Sequence, residues 1–508
     1  MSGLHGLLAA AAQQSPAVIA LRDDSCEVDY ASLARRVACV AGALAERGLV
    51  PGERVVILAK NRVEFVELYF ALFALEAVAV PLNWRLRANE VQTLIEDAGA
   101  RLVFSEGEFA PLLEGFAGQV VDFASAQADW TPFSALTGSA TLLPKAESSA
   151  VAVQMYTSGT TGRAKGSMLS HANIDCMQRA WREDMPLVAE TSRFLQVTPL
   201  FHVGAVLMMV SCVAARATLR LCPEFFSDHT LGVLRKEGIT HALFVPAMMQ
   251  WLLAEKGVDA GGFDALQLVV YGAAPMPPAV LELGLKVFGC EFLQGYGLTE
   301  TAGVLTTLKP SDHLYDGEAE PPERLLSVGR AVSCCELRLV DGEGAEVSDG
   351  AVGEVVARGE NIHLGYAGDN ESTWDDHGWF HTGDLGRFDA DGYLYLVDRV
   401  KDMICVAGEN VFPREIEMRL LEHQAVQDVA VIGVPHHLWG EEVLALVVRV
   451  PESDPSAPAL IQHCRGALAR FKCPTRLEWV EKIPRNAAGK ISKVSLRGPY
   501  WRGHDRRI

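Results

Sequence analysis

At 508 residues the chain exceeds one ordinary domain, so two or three are expected, and its 49% apolar content is ample for sizeable cores. A formal net charge of −19, from 45 basic and 64 acidic residues, excludes nucleic acid and anionic membrane surfaces as general partners. An anionic ligand would need locally placed cations, backbone N–H groups or a metal.

The 11 cysteines are scattered without a C-x-x-C pair. With no basic, apolar leader at the N-terminus, that usage points to a reducing cytoplasm. The longest apolar stretch, Phe65 to Leu82, is interrupted by Glu67 and Glu76 and broken at Pro81. It reads as a buried helix running into a strand, not as an integral membrane segment.

The elements alternate from the start. A helix is expected over Tyr30–Arg47, a strand over Arg54–Leu58, a helix to Leu75, a strand over Val78–Leu82, then helix and strand again through Glu90–Phe104. This is the pattern of an α/β domain with largely parallel sheets. It resumes with strands at Thr218–Leu221, Ile239–Val245, Leu266–Tyr271 and Glu291–Leu293. The last two run into the turns Gly272-Ala273-Ala274-Pro275 and Gln294-Gly295-Tyr296-Gly297, where a parallel sheet gathers ligands. From Gly353 the strands shorten, with a hairpin signal at Asp391-Gly392 and a charged stretch, Asp398 to Asp402, that suits a linker. Beyond it the pattern is that of a small α+β domain: a hairpin at Met403–Val411, a helix at Pro413–Leu421, strands at Val426–Val434 and Val443–Val450, a helix near Leu460–Ala469 and a strand near Arg476–Val480.

Between these halves lies Met155 to His171, MYTSGTTGRAKGSMLSH. An apolar alternation, Val151, Val153 and Met155, leads in as a strand, and Ser170 is placed to cap a following helix. Glycines, hydroxyls and one lysine leaving a strand have the makings of a phosphate cradle, because backbone N–H groups can approach an anion there. Composition alone leaves a plain surface turn equally open. Neither G-x-x-x-x-G-K-[ST] nor G-x-G-x-x-G is present, which removes the two familiar phosphate loops and a dinucleotide-dependent oxidoreductase.

Six ordered blocks, YTSGTTGRAKG, YGAAP, QGYGLTE, GWFHTGDLG, DRVKDMICVAGENVFPREIE and PRNAAGKI, together resemble the adenylate-forming superfamily of acyl-CoA synthetases, adenylation domains and beetle luciferases. The flavour is that of bacterial fatty-acid and aryl-acid CoA ligases. The resemblance implies an α/β fold: a large N-terminal domain over 1–400 with parallel sheets and a distorted barrel, and a small mobile α+β domain over 401–508 hinged at Lys401. It implies ATP, Mg²⁺ and coenzyme A. Thr157, Ser158, Gly159, Thr160, Thr161 and Gly162 with Lys165 would hold the β- and γ-phosphates, Thr299 the α-phosphate and Glu300 the metal. Gly272, Ala273 and Ala274 with Tyr296 would hold adenine, and Asp384 and Arg399 the ribose. Lys490 would be the catalytic lysine of adenylation. Gly408, Glu409, Asn410, Trp439 and Lys472 would receive coenzyme A.

His202 would gate the carboxylate, and Val203, Gly204, Met208, Phe244, Gly295 and Gly303 would line the acyl pocket, favouring a medium- or long-chain fatty acid. An aryl acid, or a carrier protein as acceptor, are the alternatives, and a homodimer is left open. Two departures stand out: Ala164 replaces the usual proline of the loop, and Lys472 is the one basic residue between Phe471 and Thr475.

Overall fold

The computed structural model describes residues 3–124, 127, 129–138, 147–158, 164–314, 322–348, 350–368, 374–485 and 491–502. The chain divides into two compact units. The first is drawn from residues before 338 and from 357–380, the second from 338–356 and from 381 onward. The boundary expected at residue 400 therefore falls inside the second unit.

Two sheets organise the first unit. One has seven strands in the spatial order Thr131–Pro132, Gln119–Asp122, Leu102–Ser105, Arg54–Leu58, Val78–Pro81, Val151–Ser158 and Ala164–Ser170. All pairings are parallel except the last. The other has nine: Arg330–Ala331, Thr306–Leu308, Glu291–Tyr296, Leu268–Gly272, His241–Phe244, Arg193–Gln196, Thr218–Leu221, Ile19–Arg22 and Glu27–Asp29. Its inner six strands are parallel. Continuous apolar strands such as RVVIL at Arg54–Leu58 suit sheets covered on both faces, and its last four residues are buried.

The main core lies between the two sheets. It joins Val55 and Ile57 of one and Leu219 and Leu221 of the other to the helices Tyr30–Glu46, Val63–Ala74 and Val203–Ala215. The second of these is buried along nearly its whole length, as expected of the Phe65–Leu82 stretch. Among the described residues no helix is long and apolar enough to cross a membrane.

In the second unit the strands Phe380–Phe388 and Leu394–Arg399 pair as an antiparallel hairpin around Asp391-Gly392. They belong to a four-stranded sheet with Cys335–Val340 and Gly353–Gly359. The segment 338–356 is bound in early: Thr382 Oγ1 donates to the Val355 carbonyl at 2.7 Å, and Glu354 meets His381 Nδ1 at 2.9 Å and Gly383 N–H at 3.0 Å. A five-stranded sheet, Glu409–Val411, Ile404–Val406, Gly440–Arg449 and Val426–His436, with Arg476–Trp479 also on Gly440–Arg449, completes the unit with helices Pro413–Leu421, Ala457–Arg465 and Lys493–Trp501.

Two expectations need correction, and one element went unread. Ser170 caps the helix His171–Asp184 as expected, while the residues before it, Ala164–Ser170, form a strand returning along Val151–Ser158. The stretch from Asp398 to Asp402 connects two sheets but is itself structured. A strand runs to Arg399 and a 3₁₀ turn spans Val400–Asp402, because the charges are paired: Asp402 with Arg497 at 2.6 Å, and Arg399 with Asp384. The late helix starts at Ala457, where Ser456 accepts from Ala459 N–H, and stops at Arg465.

Candidate functional site

The strands on either side of the loop pair with each other. Tyr156 faces Gly166, Thr157 faces Lys165 and Ser158 faces Ala164 across the antiparallel pair. Gly159, Thr160, Thr161 and Gly162 lie outside the described residues, as does the side chain of Ser158.

Next to Thr157 lies a polar cluster centred on Glu300. Glu300 lies in the 3₁₀ turn Thr299–Thr301, just past the carboxyl end of the strand Glu291–Tyr296, and is 7% exposed. Its Oε1 accepts hydrogen bonds from Thr157 Oγ1 at 3.0 Å and from Tyr366 OH at 2.8 Å. Lys165 Nζ lies 5.2 Å from the centre of the Tyr366 ring, a cation–π contact. The Glu300 carbonyl accepts from His363 N–H at 2.8 Å, and the His363 imidazole meets Ser167 Oγ at 2.9 Å and stacks on Trp374. Burial pushes the His363 pKa down to about 4, so its ring is neutral at physiological pH. A buried carboxylate with two donors on one oxygen turns its other oxygen to a different partner; among the described residues no donor reaches Oε2. Among the described residues no group of three His, Cys, Asp or Glu side chains is assembled into a metal cage. A single carboxylate is nonetheless the donor set by which Mg²⁺ is commonly held beside a polyphosphate, and Glu300 fits it.

The two carboxyl-terminal turns come together as expected. Gly272 and Gly295 are partners in register, and a Cβ on Gly272 would lie 2.2 Å from the Gly295 carbonyl, so only glycine allows this approach. Ala273 takes a left-handed φ of +64° and is exposed with Ala274, while Tyr296 follows Gly295 and is half-buried.

The residues expected around the acid are only partly assembled. His202 caps the helix Val203–Ala215, which carries Gly204 and the buried Met208. Gly303, at φ +107°, lies against Val203 and Leu207. Gly295 is covered by the indole of Trp181, whose atoms would lie 3.0 and 3.2 Å from a Cβ there. Phe244 is not brought to this group. It packs on the other face of the sheet with Val197, Tyr271 and Phe292, while its neighbour Leu243 faces the Met208 side, because successive strand residues point to opposite faces.

In the second unit Asp384 and Arg399 are cross-strand partners. Arg399 Nε donates to Asp384 Oδ1 at 2.9 Å, and Asp384 is 6% exposed. Gly408 (φ +91°), Glu409 and Asn410 are exposed in the Ile404–Val411 hairpin, and the Trp439 carbonyl accepts from Ala407 N–H at 2.9 Å. The Trp439 ring stacks on His436 with centroids 4.2 Å apart. Lys472 is engaged by Glu415 at 2.9 Å. At the expected hinge, the Lys401 carbonyl accepts from Arg497, and burial lowers the pKa of the Lys401 ammonium. Lys490 lies outside the described residues.

Tyr366, His363 and Trp181 went unread in the sequence. A tyrosine in HLGY and a tryptophan at core spacing on a helix carry no local signal; only the fold places them against Glu300 and Gly295.

The profile of the AMP-binding enzyme family matches residues 8–367, and that of the AMP-binding enzyme C-terminal domain matches 415–490. A fatty acid–[acyl-carrier-protein] ligase of Streptomyces coeruleorubidus is 36% identical, the alignment covering 98% of this chain and 96% of that protein. A feruloyl-CoA synthase of an Amycolatopsis species is 34% identical over 96% of each chain. Among solved structures, ATP-bound MatB from Rhodopseudomonas palustris superposes with a TM-score of 0.88 at 29% identity, covering 98% of this chain and 99% of its own.

Proposed function

The chain belongs to the family of AMP-binding enzymes, as an AMP-forming acid–thiol ligase of the adenylate-forming superfamily, and from that premise we propose that it activates an apolar carboxylic acid for transfer to coenzyme A. A carboxylate is a poor electrophile. In the first half-reaction it attacks the α-phosphate of ATP, forming acyl-adenylate and releasing pyrophosphate; in the second, a thiol attacks the acyl carbon and AMP leaves.

The Glu300 cluster is the observation that carries this reading. Glu300 would hold Mg²⁺, whose charge offsets that of the phosphates. The residues from Thr157 to Gly162, with Lys165, hold the departing pyrophosphate, and Thr299 contacts the α-phosphate. Gly272, Ala273, Ala274 and Tyr296 form the adenine slot. Asp384, its charge steadied by Arg399, accepts from the ribose hydroxyls. Lys490 stabilises the charge that develops between carboxylate and phosphate, and Lys401 is the pivot by which the Gly408–Asn410 hairpin takes its place for the thiol step. No enzyme nucleophile is required, in keeping with 11 free cysteines that form no recognisable site and with a reducing cytoplasm.

The apolar helix Val203–Ala215 beside Gly303 supports a fatty acid of medium or long chain. The engagement of Lys472 by Glu415 favours a second reading of the acceptor, a carrier-protein pantetheine bearing fewer phosphates than coenzyme A. The deciding experiment is AMP release across a panel of carboxylic acids, with coenzyme A or a phosphopantetheinylated carrier as acceptor. Absence of acid-dependent pyrophosphate exchange with every acid overturns the proposal.

A further inference from the structure

The room that a glycine should open at position 295 is already filled. Trp181 is 1% exposed, and its indole covers Gly295 while Val304 closes the side, 3.7 Å from where a Cβ would stand. At Gly303, by contrast, a Cβ would meet Leu207 and Val203 at an ordinary 3.7 Å. The wall that would otherwise deepen an apolar site beside the carboxyl end of Glu291–Tyr296 is therefore an aromatic floor.

That floor is held at both ends of its helix. At the start, Ser170 Oγ accepts from Asn173 N–H at 3.1 Å, Asn173 Oδ1 accepts from Ser170 N–H at 2.8 Å, and Asn173 Nδ2 donates to the carbonyls of Glu360 and Ile362 at 2.6 and 2.9 Å. At the end, the Asp184 carboxylate accepts from Thr307 Oγ1 at 2.6 Å and pairs with Lys309 at 2.7 Å. The indole N–H itself points to Met185 Sδ at 3.3 Å. Swinging the ring aside would break that contact and strip a fully buried aromatic of its packing.

We propose that Trp181 is the specificity-determining residue of the acid site, a fixed floor that limits its depth and favours shorter apolar acids over longer ones. This rests on the acid-activating reading above and narrows it. Removing the indole leaves space of the order of the ~150 Å³ apolar cavity that admits a benzene-sized guest. Adding a methyl at Gly295 presses the ring into the acid space instead.

The test is acid-dependent ATP–pyrophosphate exchange with butanoate, hexanoate, octanoate, dodecanoate and hexadecanoate. The wild type should favour the shorter acids over hexadecanoate. Trp181→Ala should raise the dodecanoate-to-hexanoate ratio of kcat/KM by about ten-fold or more, and Gly295→Ala should shift preference towards butanoate. Calorimetric binding of a non-hydrolysable dodecanoyl-adenylate analogue should tighten in Trp181→Ala, independently of turnover. If thermal melting shows that variant unfolded, Trp181→Leu and Trp181→Phe carry the same comparison with smaller shifts. A wild type that prefers hexadecanoate, or folded variants with an unaltered chain-length profile, overturns the assignment of Trp181 while leaving acid activation intact. No exchange with any acid removes both.

Discussion

Tyr366→Phe isolates one hydrogen bond at the centre of the site. The substitution keeps the ring over which Lys165 lies at 5.2 Å and deletes only the hydroxyl that donates to Glu300 Oε1 at 2.8 Å. A hydrogen bond to a charged group contributes ~1.5–3 kcal/mol. If that is lost where Glu300 must be held in place, kcat/KM for pyrophosphate exchange falls by about ten- to a hundred-fold, since ~1.4 kcal/mol is ten-fold in rate. The loss should be larger at limiting Mg²⁺, because a less firmly held carboxylate is a poorer metal ligand. Thr157→Val removes the other donor to the same oxygen, so the double variant should depart from additivity by ~0.5–3 kcal/mol. Thermal unfolding of each variant separates this from general destabilisation. A Tyr366→Phe enzyme within about two-fold of wild type at low Mg²⁺ would refute the role given to the cluster.

Lys490→Ala should slow acyl-adenylate formation by ~100-fold or more while largely sparing thioester formation from supplied acyl-adenylate; equal losses in the two half-reactions, measured by single turnover, would contradict its assignment. Asp384→Asn removes the carboxylate that Arg399 holds at 2.9 Å and should raise the KM for ATP by ~10-fold with little change for the acid. Arg497→Met strands Asp402, its partner at 2.6 Å, in a buried setting, and denaturant unfolding should show the second unit weakened by ~3–5 kcal/mol. Burial holds the pKa values of His171, His241, His313 and His363 down to about 4. The unfolded chain then binds more protons between that value and the ordinary ~6.5, so stability is full above about pH 6.5 and is lost as pH falls towards 4. Near pH 5 the loss is of order 2 kcal/mol per histidine, and equal stability by denaturant titration at pH 7.5 and pH 5 would exclude it.

What could be read in advance depended on how local the cause was. Arg54–Leu58 was legible to the residue because its continuous apolar run leaves few alternatives, and Thr218–Leu221 because its alternation suits a strand. Pro413–Leu421 was legible because proline opens the helix and its apolar residues repeat at helical spacing. Ala164–Ser170 was not: AKGSMLS carries little strand propensity, and it is extended because Val151–Ser158 supplies a ladder for it. The site shows the same division. Glu300 and Asp384 could be proposed from the blocks in which they stand. Tyr366 reaches Glu300 from 66 residues away, and Trp181 covers a glycine on a different element, so neither leaves a local trace. Phe244 was assigned to the acid side by position, yet one step along a strand reverses the face, and Leu243 holds that side instead.

The interleaving of the two units in sequence bears on how the protein is made. Residues 338–356 leave the ribosome before 357–380, although they belong to the later unit. Glu354 and Val355 cannot find His381, Thr382 and Gly383 until those are synthesised, and the five-stranded sheet of that unit waits longer still, for Arg476–Trp479. At ~5–20 residues per second, the nascent first unit therefore carries an unfinished piece of the second for several seconds. A fragment stopped at residue 400 would preserve that unfinished state, so the protein is best expressed whole, and truncation between the units should yield aggregation rather than an isolated catalytic half.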